Sequence, residues 1–329
     1  MIAPLRIGVI GCGAIATSVH LRVLRRLRAV RVTALADPAA EARARAGRLV
    51  PGAALHTSAE ELLDRSDVDA VVVAAPTGLH AGIALATLRT GRHIYLEKPI
   101  ATTLEDGHRV AAAARDAGVV AAVGYNWRFQ PLMVRGRALL RAGVIGEVRA
   151  VHTVFCEPVP HTARGWRARR SEGGGVLLDL GSHNFDLITW LLDARIERVE
   201  AAVSSLATEH DSALVRLELT DGVIATSFFS LRACRAHSLE FIGERGVLRI
   251  DRSTRTLSLQ GARARTSSVA LMSWRLRSLV RPRSEPSWST ALRTFAAKIR
   301  GAAVELPTFD DGLRSLEIVI DAERSACVR

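Results

Sequence analysis

The run LRIGVIGCGAIA, residues 5–16, limits the fold more than any other stretch of this chain. A short β-rich segment leads straight into Gly11, Gly13 and Ala16, a G-x-G-x-x-A spacing, and a helical stretch follows over 13–28. In that context each small residue has a mechanical reason. The first glycine turns the chain tightly out of a strand, the second lets a pyrophosphate approach the backbone, and the alanine keeps the helix close to the sheet. The helix N-terminus then faces the phosphates. Gly11, Gly13, Ala14 and Ile15 are the expected dinucleotide contacts. Asp37 ends the next β-rich run, VRVTALAD, 21 residues beyond Ala16. That is near the spacing of a carboxylate that accepts bonds from a ribose diol. Such a carboxylate repels a 2′-phosphate. Pro38 follows it and Arg43 lies a helical turn or more further on, so NAD is expected in preference to NADP.

The alternation continues through the first 125 residues. DAVVVAAP (69–76), HIYLE (93–97) and VVAAVGY (119–125) are apolar runs separated by helical stretches at 39–48, 78–91 and 102–117. Strands apolar on both faces belong in a buried parallel sheet. Residues 1–125 are therefore expected to form a doubly wound α/β domain that binds NAD(P), a Rossmann fold. Ligands in such sheets bind beyond the carboxyl ends of the strands. That places Ala75, Pro76, Thr77 and His80, after the run at 69–76, among the expected cofactor contacts.

After residue 126 the pattern changes. A helix is expected near 129–142, a strand over 147–156 and a glycine-bounded helix at about 175–192. Alternating runs follow at 198–206, 212–220, 222–231, 237–243 and 246–251, with DG (221–222) and ERG (244–246) as hairpin turns. This reads as an α+β domain, 126–329, with a large, open-faced, mostly antiparallel sheet that serves substrate binding and oligomerisation. Residues 252–287 read as irregular, and helices near 288–301 and 309–327 close the chain. Val203, Leu217, Phe228 and Leu239 are the candidates for an exposed apolar face that pairs with another subunit, giving a homodimer or homotetramer.

Composition removes several function classes. The formal charge of +12 invites an acidic partner, but the arginines are scattered and no nucleic-acid recognition motif is present, so no nucleic acid is expected. The four cysteines show no C-x-x-C spacing, which argues against a disulfide framework or a zinc site; no metal is expected, and free thiols fit a reducing cytoplasm. The first residues are unlike a secretory signal, and no run of 18 apolar residues suits a membrane. Among 45 basic residues only Lys98 and Lys298 are lysine. Lysine is compact and its pKa moves with burial, whereas arginine stays charged. Lys98, in IYLEKPI, therefore stands out against a strong drift to arginine.

GCGAIA, APTGLHAGIALATLRTGRHIYLEKP, GYNWRFQP, EGGGVLLDLGSHNFD and LPTFDDGLRSLEIVIDAERSA together resemble the Gfo/Idh/MocA family of oxidoreductases over essentially the whole chain. The resemblance implies a nicotinamide-dependent enzyme that transfers hydride to or from a secondary alcohol or ketone of a sugar, amino sugar, nucleotide-sugar or cyclitol. It implies that the lysine of E-K-P, here Lys98, and the Asp and His of the G-G-G…D-x-x-x-H segment, here Asp179 and His183, line the catalytic site and contact substrate. It also implies a cis bond before Pro99 and a role for Glu97 on cofactor hydroxyls. The spacing of Asp179 and His183 is independent support, because residues four apart share a helix face. A histidine titrating near neutrality suits acid–base work on the substrate oxygen. Lys98 polarises that oxygen or joins the proton relay, and Asp179 orients His183 or holds a hydroxyl. Asn126 and Arg128 contact nicotinamide or substrate, or make ordinary structural hydrogen bonds. Trp166 stacks on a sugar, or is a surface aromatic. Arg164, Arg167, Arg169 and Arg170 bind a phosphate, or form a plain solvated loop. Two other readings stay open on the sequence: a redox-neutral, NAD-dependent glycosidase, and a non-catalytic nicotinamide-binding sensor.

Overall fold

A computed structural model of the chain describes residues 3–64, 67–159, 168–261 and 286–328. The chain divides into two units: residues 1–126 with 288–316, and residues 127–287 with 317–329. The stretch 288–316, expected with the second domain, thus packs with the first.

The first unit is built on a six-stranded sheet, β1 (Leu5–Ile10), β2 (Val30–Ala36), β3 (Ala54–His56), β4 (Ala70–Val73), β5 (His93–Leu96) and β6 (Ala121–Val123), in the order β3-β2-β1-β4-β5-β6. Every pairing is parallel. Burial explains why: all four residues of β4 are inaccessible, as are Ile94, Tyr95 and Leu96 of β5. The strand order reverses between β1 and β4, so the loops after those strands diverge and leave a crevice at their carboxyl ends. The helices are α1 (Leu21–Leu24), α2 (Ala40–Gly47), α3 (Ala59–Leu63), α4 (His80–Arg89) and α5 (Leu104–Asp116). A π-helical turn, Ala16–His20, precedes α1. Ser58 caps α3 and Thr103 caps α5, each accepting from a backbone N–H three residues on. The strand β3 was not expected; three residues are too few to show a period.

The second unit holds an eight-stranded sheet. Its strands are β7 (Val148–Cys156), β8 (Ile196–Ser204), β9 (Ser212–Leu219), β10 (Ile224–Ser230), β11 (Ala236–Gly243), β12 (Gly246–Asp251), β13 (Thr256–Gln260) and β14 (Cys327–Val328). The order is β13-β12-β11-β7-β10-β9-β8-β14, antiparallel except for β7 with β10 and β8 with β14. Part of the stretch expected to be irregular, 256–260, is therefore a strand, paired with β12 across a turn in which Arg255 takes a left-handed φ of 59°. Residues 262–285 lie outside the described residues.

One face of this sheet is buried under α6 (Pro131–Arg141) and α7 (Ser182–Leu192), the latter preceded by a second π-helical turn, Leu177–Gly181. Gly136 lets α6 close on β12, since a Cβ there would overlap the Ile250 side chain. A buried hydrogen-bond triangle fixes α7: Asn184 donates to Thr153 Oγ1 (3.0 Å), Thr153 donates to Ser227 (2.8 Å), and Ser227 donates to Asn184 Oδ1 (2.9 Å). The open face needs a correction. Val203, Leu217 and Leu239 point into the core; Phe228 is exposed, with Leu214 directly opposite it and Ile224 four residues before it. Side chains alternate along a strand, so an apolar residue one place out lies on the other face.

The chain closes with α8 (Pro286–Ile299) and α9 (Phe309–Ser325). Phe295 of α8 meets Tyr95 of β5 edge-on at 5.7 Å. Gly312 of α9 sits against Ile100 and Val123, where a Cβ would collide with both. Among the described residues no helix is long and apolar enough to cross a membrane.

Candidate functional site

In the first unit, every candidate follows the carboxyl end of a strand, and because the sheet is parallel those ends share one edge. Gly11 leaves β1 at φ 90°, and a Cβ there would sit 2.6 Å from the Ala74 carbonyl and the Ala75 nitrogen. Conformation and close approach both demand glycine. A Cβ on Gly13 would meet nothing within 4 Å, so the space over this turn is open to a phosphate. Ala14 and Ile15 follow it into the π turn, which begins at the fully buried Ala16. The Asp37 carboxylate is pinned at this loop: one oxygen accepts from the Cys12 N–H (2.8 Å), the other from the Ala39 N–H (2.9 Å). Burial, and then the Asp37 charge, push the Cys12 thiol up to about 12, so it stays neutral. Arg43 departs from expectation. It folds back, and its Nη1 donates to the carbonyls of Asp37 (2.6 Å) and Pro38 (2.9 Å), bringing a cation to the acidic corner.

After β4, Thr77 is buried and Pro76 exposed. His80 is fully enclosed, with Nδ1 2.7 Å from the Pro99 carbonyl and Nε2 2.9 Å from the Ala75 carbonyl. Burial pushes its pKa down, against the pull of those carbonyls. With both ring nitrogens facing backbone carbonyls, His80 braces two strand-end loops. After β5 come Glu97, the half-buried Lys98 and the cis Lys98–Pro99 bond that the resemblance implies. Glu97 is buried, and its Oε1 lies 2.7 Å from Nε2 of His20, itself inaccessible and held edge-on by Trp288 at 5.4 Å. Gly124 packs against the same carboxylate, since a Cβ there would lie 3.0 Å from Oε2. Glu97 is thus oriented by His20 from the π turn, which sequence reasoning missed. A lone histidine in SVHLRVL gives little signal. Asn126, past β6, is completely buried.

In the second unit the candidates lie on the π turn Leu177–Gly181, on α7 and on residues 127–129 of a short turn. Asp179 lies on the π turn, half-buried, and His183 one residue inside α7, about 6 % exposed. The segment between them is wider than the α-helix assumed from the spacing, and π turns of this kind recur at functional positions. Gly175, at φ 94°, starts this segment beside His210. The His183 ring lies flat on the indole of Trp127, with centroids 4.2 Å apart and planes 9° apart. Arg128 is committed elsewhere: its guanidinium grips the Asp186 carboxylate through three contacts of 2.5–3.1 Å, with both side chains largely buried. Of the arginines flanking Trp166, Arg169 pairs with Glu172 (2.6 Å), and Arg170 grips Glu323 (2.5 and 2.7 Å). Trp166, Arg164 and Arg167 lie outside the described residues. Trp127 and Asp186 were also missed, although both sit inside the quoted motifs.

Residues 5–125 match the oxidoreductase family with an NAD-binding Rossmann fold, and residues 133–249 match the GFO/IDH/MocA C-terminal domain. The chain belongs to the Gfo/Idh/MocA oxidoreductase family. Residues 5–125 are the family's NAD(P)-binding Rossmann domain. Among Gfo/Idh/MocA relatives, a dTDP-3,4-didehydro-2,6-dideoxy-alpha-D-glucose 3-reductase of Streptomyces violaceoruber is 34% identical over 257 residues, covering 77% of this chain and 74% of that protein. The WlbA dehydrogenase from Bordetella pertussis, solved with NADH and UDP-GlcNAcA, has a TM-score of 0.89 at 24% identity, covering 98% and 95% of the two chains. A 3-ketoreductase from Actinomadura kijaniata, solved with NADP and TDP-benzene, has a TM-score of 0.83 at 25% identity, covering 99% of each chain.

Proposed function

We propose that this chain is an NAD(P)-dependent oxidoreductase acting on a secondary hydroxyl, or the matching ketone, of a sugar or cyclitol, with nucleotide-linked sugars the first class to test. The observation that carries the reading is the Asp37 carboxylate, tied to the glycine loop through the Cys12 N–H beside an open Gly13. That arrangement suits a ribose diol with its pyrophosphate over the loop. The similarity to the Streptomyces violaceoruber reductase supports the substrate class. Asp37 favours NAD over NADP by charge repulsion.

Bound nicotinamide supplies or accepts the hydride. The protein must supply a proton at the substrate oxygen and a charge to steady that oxygen. His183 is assigned the proton, given or taken at the substrate oxygen. Lys98 is assigned the charge, as a compact cation on a developing alkoxide. Asp179 tunes His183 or holds a neighbouring hydroxyl. Glu97 and Asn126, at the ends of β5 and β6, shape the cofactor side. The exposed Leu214, Ile224 and Phe228 are proposed to meet a second copy of the chain. Elution as a monomer at high concentration would count against that pairing. The buried free thiols of Cys12 and Cys156 suit a reducing compartment such as the cytoplasm.

The test is a panel of dTDP- and UDP-linked sugars, free sugars and inositols, each with NAD and NADP, or with the reduced cofactors, followed at the nicotinamide absorbance. Turnover of one class, lost in Lys98→Ala and His183→Ala, is expected. Tight NADH binding with no turnover across the panel would point to a sensor instead. Sugar release from an aryl glycoside without NADH accumulation would point to the redox-neutral enzyme.

A further inference from the structure

The imidazole of His183 does not stand free on its helix. It lies against the Trp127 indole at 4.2 Å and 9°, a full-face contact where many aromatic pairs meet edge-on. A ring so covered cannot tilt without losing that face, so the plane of the imidazole is set by the indole.

Trp127 is itself held from several sides. It is 8% exposed, with Phe155 of β7 at 5.3 Å and His237 of β11 at 5.2 Å. The next residue, Arg128, is locked to Asp186, three residues beyond His183 on α7. The stack and the ion pair therefore join the same two segments at adjacent points, and each fixes the spacing of the other.

The same indole carries a permanent cation, with the Arg252 guanidinium carbon 3.8 Å from its centroid. Arg252 Nη1 donates to Nδ1 of His237 (3.0 Å), and its backbone N–H donates to the His237 carbonyl (2.8 Å). His237 therefore carries its proton on Nε2, which faces Glu157 at 3.6 Å. Burial, reinforced by Arg252 and Arg235, pushes its pKa down to about 3, so it stays neutral and Arg252 keeps its charge.

We propose that Trp127 is a positioning residue for His183, acting as the platform that fixes the imidazole and steadies its protonated form, with Arg252 as the opposing cation on that platform. The functional weight of this arrangement rests on the reading of His183 as the proton-transfer group; the arrangement itself can be measured without a substrate. The charged and titratable groups on the segments packed here include Asp179 on the π turn, Asp186 with Arg128, and Arg252 with His237, Glu157 and Arg235.

The probe is His183 itself. The chain is labelled at its histidines for NMR, and the His183 ring resonance is assigned by its disappearance in His183→Gln. In the native chain that resonance should lie upfield, shifted by the indole ring current. Trp127→Leu should remove the upfield shift and lower the titration midpoint by about half a unit, the size of a modest cation–π contact. Trp127→Phe should retain most of both. Arg252→Met should raise the midpoint while leaving the upfield shift in place, and it keeps the proposal testable if Trp127→Leu does not fold. An unshifted native resonance, or a midpoint that stays put in Trp127→Leu and Arg252→Met, would overturn the proposal. Failure of the functional reading is separate: it would appear as turnover surviving in His183→Gln, whatever the resonance does.

Discussion

Arg128→Ala is the sharpest test of how the second unit holds α7. The guanidinium makes three contacts of 2.5–3.1 Å to Asp186, and the two side chains are 13% and 2% exposed. Removing the cation strands a carboxylate that water barely reaches. Breaking a buried pair from one side costs about 3–5 kcal/mol, against a whole-domain stability of about 5–15 kcal/mol. With a urea slope of about 2 kcal/mol/M, the midpoint should fall by roughly 2 M. Urea melts read by intrinsic fluorescence measure it. Arg128→Met with Asp186→Leu removes both charges together and should recover most of the loss. A cost below about 1 kcal/mol for Arg128→Ala, or a double variant no better than the single, would refute the reasoning. The double variant also bears on substrate contact. If stability returns while KM stays raised, the arginine touches substrate as well as Asp186.

Gly11→Ala should abolish dinucleotide binding in a direct NADH titration, because the new Cβ lands 2.6 Å from the Ala74 carbonyl at φ 90°. Asp37→Ser should raise the NADPH-to-NADH ratio of kcat/KM by about tenfold, on the order of 1–2 kcal/mol for one removed like charge. Arg43→Ala in that background should lower the ratio again, since its guanidinium sits on the Asp37 and Pro38 carbonyls; paired steady-state assays read both. His237 gives a pH prediction with a definite sign. Its folded pKa of about 3 lies below the ordinary value of 6.5, so between those pH values the unfolded chain binds the extra proton. Stability is therefore lost as pH falls from 6.5 towards 3, by up to about 5 kcal/mol from this residue. His237→Gln should flatten that acid limb in urea melts across pH.

The first unit could be read almost strand by strand, because a buried parallel strand is a continuous apolar run and its end is marked by Gly11, Asp37, Pro76 or Pro99. The second unit was read correctly as mostly antiparallel, but the face was misassigned at Val203, Leu217 and Leu239. Period-two patterns name two faces, and when both carry apolar residues only packing against α6 and α7 shows which is covered. The strand at 256–260 escaped notice because TLSLQ offers one short alternation and finds its partner only in β12. Nothing in 288–316 announces that it returns to the first unit, since packing between segments far apart in the chain leaves no local period.

The candidate site divides along the same line. The identities at the strand ends, the lone Lys98 among arginines, and the Asp179–His183 spacing are local properties, and the sequence by itself was enough to single them out. Which polar groups are already spent is a property of the fold. Arg128 is taken by Asp186, the His80 ring lies between two backbone carbonyls, and Oε1 of Glu97 is taken by His20. Arg43 moves the other way, from a distant helix position to the acidic corner. The physical reason is one of range. Backbone conformation follows largely from neighbours in sequence, whereas a buried face, a hydrogen bond or a ring stack needs atoms brought within about 3–4 Å, and only the folded chain decides which atoms those are.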